Sequence, residues 1–320
     1  MKKTGVWLLI AGLLIALGGL CFVMVACFAN WNFKVLLGGK LVTETCEVAE
    51  KFSGVVLNTD TADITFALSD DGGCKVISCD HPQIKTSASV ENGTLKIHTV
   101  DERKWYQRVT GLGKSTLTVY LPQGDYAALA ISESTGDITI PKDFSFGSVD
   151  ISVSTGDVYF YASASQYAKI KADTGDIFVK DAAIAALDLT VTTGKVSVSG
   201  LACAGDLSVK VSTGDTVLTD VACQNLMTKG STGDLTMKNV IASAQFSIER
   251  STGDVKMERC DAAEVFVTTD TGDVKATMLT DKIVWAKTDT GKVDVPRSTQ
   301  GGKCEITTDT GNINISIVSD

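Results

Sequence analysis

The residues best placed to do chemistry form a row. Ten copies of Thr-Gly followed by Asp, Lys or Asn set Asp137, Asp157, Asp176, Lys195, Asp215, Asp234, Asp254, Asp273, Lys292 and Asn312 one place after a glycine. Asp173, Asp270, Asp289 and Asp309 add carboxylates two places before it. Clustered carboxylate oxygens suit a hard cation such as calcium. They equally suit a turn, in which an aspartate accepts backbone N–H bonds. Lys195 interrupts the row, and the GGxGxD calcium nonapeptide does not occur. The expectation is therefore structural turns and no cofactor, with calcium as the alternative. Four consecutive members, Asp215, Asp234, Asp254 and Asp273, make a candidate ligand-binding edge.

Other constellations fall short. Two histidines, His81 and His98, leave little for acid–base or zinc chemistry. Gly113-Lys114-Ser115 ends like a phosphate loop, but the first glycine of that motif falls on Arg108. No G-x-S-x-G or H-E-x-x-H is present. Cysteine is odd in number at nine, with Cys21 and Cys27 in an apolar N-terminal stretch. Cys203 and Cys223 each lie nine places after a glycine and should stack; Cys260 and Cys304 take aliphatic places. Buried thiols are expected, with Cys203–Cys223 or Cys74–Cys79 as alternative disulfides. Cys74-x4-Cys79-x-His81 has no established zinc spacing. Trp105 and Tyr106, between Arg103, Lys104 and Arg108, form either an exposed contact patch or a cluster folded over the end of the core.

The elements that position these groups follow from the spacing. The corner pairs are Thr135-Gly136, Thr155-Gly156, Thr174-Gly175, Thr193-Gly194, Thr213-Gly214, Thr232-Gly233, Thr252-Gly253, Thr271-Gly272, Thr290-Gly291 and Thr310-Gly311, 19 or 20 residues apart. Apolar residues recur two and four places after the glycine, as in Ile138 and Ile140, and five and seven before it, as in Ile151 and Val149. Alternation on both sides of a turn means two short strands per repeat, each with one buried face. Such a unit buries its apolar side only against copies of itself. The fold class is therefore mainly β: a parallel β-solenoid whose coils stack about 4.8 Å apart. The glycine marks a corner where a Cβ is excluded, and the threonine hydroxyls could cap turn amides. Leucine-rich and propeller signatures are absent.

Upstream the pattern degenerates. Thr61-Ala62-Asp63-Ile64 reads as a copy with Ala62 in the glycine place, while 101–115 reads as a loop insertion. The regular solenoid is assigned to 129–320 and an irregular β region to 41–128. Residues 6–29 carry no charge, enough for a helix of roughly 36 Å across a hydrocarbon core of about 30 Å. Lys2 and Lys3 precede this span, which favours residues 1–5 in the cytoplasm, a linker over 30–40 and a body outside the membrane. Lipidation at Cys27 and a cleaved signal ending near Ala29 are the alternatives.

The whole chain of 320 residues holds 29 basic against 38 acidic side chains, a net of −9. An acidic body repels phosphate, which removes nucleic acid from the candidate partners. Few prolines, four in all, argue against disorder.

The TADI opening at 61–64, the STGD/DTGD series at 134–312, VYLP at 119–122 and IPKDFSF at 140–146 resemble a bacterial β-strand-repeat family of unknown function labelled "putative adhesin". The resemblance implies a β-solenoid in a surface or envelope setting and transfers no catalytic residue. The expected function is that of a non-enzymatic, membrane-anchored surface solenoid that binds an envelope protein or polymer. A self-assembling structural solenoid and a carbohydrate-active β-helix enzyme are the alternatives.

Overall fold

The computed structural model describes residues 18, 19, 23, 41–103 and 115–318. Gly18, Gly19 and Val23 are helical. The rest of the expected 6–29 span, and the Trp105–Tyr106 loop, lie outside the described residues. Among the described residues no helix is long and apolar enough to cross a membrane.

Alternating apolar residues become strands throughout. The first group is β1 (Val42–Val48), β2 (Gly54–Thr61), β3 (Asp63–Leu68), β4 (Cys74–Asp80), β5 (Ile84–Glu91), β6 (Thr94–Asp101) and β7 (Thr116–Leu121). The coils continue with β8 (Asp125–Thr135), β9 (Ile138–Ile140), β10 (Ser145–Thr155), β11 (Val158–Phe160), β12 (Ser163–Thr174), β13 (Ile177–Lys180), β14 (Ala183–Ile184), β15 (Leu187–Thr193) and β16 (Val196–Cys203). Then come β17 (Asp206–Thr213), β18 (Thr216–Thr232), β19 (Leu235–Thr252), β20 (Val255–Thr271) and β21 (Val274–Met278). The last are β22 (Lys282–Thr290), β23 (Val293–Asp294), β24 (Gly302–Thr310) and β25 (Ile313–Ile317).

All belong to one sheet, wound as a solenoid in which each coil pairs in parallel with the next. Register is set by the repeat: Val149 lies beside Leu129 and Ala168, and Thr155 beside Thr135 and Thr174. A one-residue slip would turn every core side chain outward, so the pattern fixes the pairing. The core runs the length of the stack, from Val55 to Ile315, with an aromatic cluster of Phe66, Tyr126, Phe144 and Phe146 in its first third.

Five successive coils carry a second bend that the glycine spacing alone does not announce. Asp181, Gly200, Asp220, Asn239 and Arg259, six places after successive corner glycines, all have φ between 51 and 63°. Asp, Asn and Gly tolerate this left-handed region; Arg259 does not share their ease. The bend is tied along the stack where Asn239 donates to Asp220 at 2.8 Å.

Chain order and stacking order part company at both ends. The β2–β3 coil lies inside the β6–β7 coil, which is outermost. At the far end the last repeat in sequence, β24–β25, is threaded between the Gly272 coil and the Gly291 coil, leaving β22–β23 outermost. The outermost described coil is therefore Lys282–Asp294, not the one that comes last in the chain. Sequence periodicity is identical for either order, so it could not distinguish them. Lys282, almost fully buried, anchors the outer coil across the inserted one through Asp261 at 2.6 Å.

At the first end β5 pairs antiparallel with β6, and β4 with β7, while β1 pairs antiparallel with β4. The β5–β6 hairpin turns at Asn92-Gly93, with φ of 52 and 74° at the two residues. That two-residue Asn-Gly loop matches the twist of its strands.

Candidate functional site

The corner is built from backbone. Nine of the ten corner Thr carbonyls accept the glycine N–H of a neighbouring coil, as in Gly233 to Thr252 at 3.0 Å and Gly253 to Thr271 at 2.9 Å, and Thr135 accepts that of Ala62. The expected hydroxyl caps come from elsewhere: Thr288 and Thr308, two places before the corner threonines, donate to Gly311 and Gly272 carbonyls. The ten corner glycines have φ between 125 and 155°, and an ideal Cβ on Gly233 would strike the Gly214 carbonyl of the adjacent coil. Only glycine permits both that φ and that approach.

The aspartates extend the ladder in side chains. Oδ1 of Asp215 accepts the N–H of Asp234 at 2.9 Å; Asp234 accepts from Asp254 at 2.8 Å and Asp254 from Asp273 at 2.8 Å. Asp273 accepts from Asn312, and Asn312 Oδ1 accepts the N–H of Lys292. A second run links Asp63, Asp137, Asp157, Asp176 and the N–H of Lys195. The four candidate ligand-binding aspartates thus form one continuous exposed edge. Each carboxylate takes a charge-assisted bond from a backbone amide, which offsets the repulsion of its neighbours. Among the described residues no cluster of three or more His, Cys, Asp or Glu has the geometry to hold a metal ion.

Two of the buried charges, Glu133 and Arg250, are not announced by the repeat, although both stand in a core row that the spacing defines. Three places before the corner glycine, most coils carry Val, Ala or Thr; here stand Glu133 and Arg250. Glu133 Oε1 accepts the amides of Ala62 at 3.1 Å and Thr135 at 3.3 Å, while Oε2 is buried without a partner. Burial pushes its carboxyl up to about 7, against the pull of those two amides. Arg250 runs along the core to donate to Thr216 Oγ1 at 3.1 Å, and its Nε and one terminal nitrogen are buried without partners. It fits because Gly230 in the intervening coil has no side chain; a Cβ there would overlap the guanidinium. Burial lowers its affinity for a proton, which Asp215 and Asp234 partly restore. Arg250, Gly230 and Thr216 are three matched departures from the aliphatic pattern.

Cys203, Cys223, Cys260 and Cys304 are buried free thiols. Ala202 lies beside Ala222, so Cys203 and Cys223 follow in adjacent coils, while Cys260 lies beside Met278. Burial pushes Cys223 up to about 12 and Cys260 and Cys304 up to about 11. Thiols held protonated in this way are poor nucleophiles. Ser115 donates to the buried Asp80, whose carboxyl is raised by burial. On the outer face Tyr159 and Phe178 stack with centroids 4.9 Å apart.

Parallel coils with a glycine corner and an ordered aspartate edge define a repeat-built β-solenoid. The chain belongs to the Toastrack DUF4097 family, whose model matches residues 52–207 and 202–320. The family resemblance read from the TADI and STGD residues is thereby shown. Among solved structures it is similar to a "putative adhesin" from Bacteroides fragilis, at 14% identity and TM-score 0.42, covering 88% of this chain and 99% of that one. A "putative adhesin" from Parabacteroides distasonis matches at 13% identity and TM-score 0.42, over 87% and 98%. A "putative lipid binding protein" from the same species matches at 14% and 0.31, over 86% and 96%. No curated protein matches the chain.

Proposed function

We propose that this protein is a non-enzymatic, adhesin-like solenoid, held at the bacterial cell membrane by a single span over residues 6–29, that presents its aspartate edge outside the cell. The partner is an envelope protein or polymer carrying positive charge. The observation that carries the reading is the state of the carboxylates. Asp215, Asp234 and Asp254 each spend an oxygen on the next coil's amide. They are thereby fixed at the coil spacing, about 4.8 Å. Equivalent, evenly spaced and backbone-bound groups make a regular anionic edge, which attracts a partner of opposite charge.

Location is tested by adding protease to intact cells or protoplasts that express the full chain. Loss of everything beyond about residue 41, with a short membrane stub retained, is the expected result. A fully protected body reverses the topology and removes the envelope from the account.

A further inference from the structure

The two ends of the solenoid are not alike. At the first end, antiparallel β4 and β5 lie against the outermost coil. At the far end β22 pairs with β24, and β23 with β25, and among the described residues neither has a partner on its other side. The core rows end there uncovered. Val293 is 44% exposed, whereas Ile313 and Val274, in the same row one and two coils inward, are 1% and 0%. Trp285 on the outer face of β22 is 53% exposed. An exposed strand edge beside uncovered apolar side chains is a template for pairing.

Charge decides what can approach it. Elsewhere the corner row is dominated by aspartate, but the outermost coil, residues 281–297, carries four basic and three acidic side chains in a chain of net −9. Along it Lys287, Asp289, Lys292 and Asp294 alternate in sign. Such an edge complements its own copy when that copy runs antiparallel. Thr290 accepts the N–H of Gly311, the corner that follows β24, with its carbonyl. The two-residue strand period therefore turns the amides of Ile283, Trp285, Lys287 and Asp289 to the open side. A two-fold axis at Thr288 sets Lys287 opposite Asp289 of the second copy, twice, on one outer face. A centre at Lys287 would instead oppose two lysines. Within one chain Lys287 and Asp289 pair at 3.0 Å, both well exposed, so exchange between copies loses little.

We propose that the open edge of β22 pairs with the same edge of a second copy, giving a tail-to-tail dimer. A two-fold pairing is isologous: each copy uses the same edge on the other, which closes the assembly at two.

The test is the protein mass of the full chain in detergent micelles, by sedimentation or light scattering. Wild type should have twice the 33.7 kDa of one chain. Lys287→Asp and Asp289→Lys, each alone, should halve that mass, because like charges then face each other. The double swap Lys287→Asp/Asp289→Lys should restore it. Circular dichroism spectra of all four should coincide before melting, so that loss of mass is not loss of fold. A monomeric wild type, a dimer indifferent to the single changes, a double swap that stays monomeric, or an open filament would each overturn the proposal.

Discussion

Replacing Gly233 with valine puts the corner to its hardest test. Gly233 sits at φ +125°, where a β-branched residue is rare, and holding one there costs roughly 1–3 kcal/mol. Space adds a second term. A Cβ would lie 2.5 Å from the carbonyl carbon of Gly214 and closer still to its oxygen. Ordinary carbon contacts are about 3.5–4 Å, so the coils must part by roughly 1 Å. That movement strains the Gly233–Thr252 bond on one side and the Asp234–Asp215 bond on the other. Each is worth about 1 kcal/mol. A total of about 3–5 kcal/mol is expected. The control is Lys238→Val, an exposed position in the same coil whose β-branched replacement suits a strand. In thermal melts followed by circular dichroism, Gly233→Val should melt several degrees lower and Lys238→Val within a degree or two of wild type. Coinciding melts would refute the corner geometry.

Glu133→Gln should flatten the pH profile of stability. The buried carboxyl has its folded pKa raised to about 7 from 4.5, so its favourable contribution is complete below 4.5 and lost as pH rises through 7. The loss is on the order of 3 kcal/mol, and denaturant titrations at pH 5 and pH 8 should show it in wild type only. Arg250→Met should hold or raise the melting temperature, because two guanidinium nitrogens are buried without partners and a flexible apolar chain fills similar space beside Gly230; a fall of several degrees would show that the Thr216 bond dominates. Arg259→Gly should stabilise by up to about 1 kcal/mol, since its φ of 54° is strained for arginine and free for glycine; a loss in the same denaturant assay would contradict the second bend.

The repeat was legible because a solenoid writes its cross-section into every coil. Val149, Ala168 and Leu187 could be aligned by counting from Gly156, Gly175 and Gly194, and they do pair. What counting could not supply is the order of coils, because β22 and β24 carry the same pattern and either fits beside β20. Packing favours β24 in the inner place: Cys304 and Ile306 are fully buried there, while Trp285 stays outside. The second bend was legible in principle, as an Asp-Gly-Asp-Asn series six places after the glycines, and Asn92-Gly93 was a hairpin signal inside a stretch that otherwise reads as strand. Glu133 and Arg250 show the limit from the other side. Their positions mark them as core, yet their partners, Ala62 and Thr216, are set by stacking across coils rather than by neighbours in sequence. The aspartates combine both cases: their spacing placed them on one edge, and only the stacked coils reveal that each binds the next amide.

The claim that this edge is a scaffold for electrostatic binding is tested most directly with a cationic probe. Fluorescent oligolysine is titrated into the full chain in micelles at rising salt, beside the variant Asp215→Asn/Asp234→Asn/Asp254→Asn/Asp273→Asn. Asparagine keeps the Oδ1 acceptor for each following amide, so the variant should fold and melt like wild type. Wild type should bind tightly at low ionic strength and lose affinity steeply toward 0.1 M, where the screening length is about 10 Å. The variant should bind at least tenfold more weakly and with a shallower salt dependence. Equal affinity and equal salt dependence in the two proteins would contradict the account.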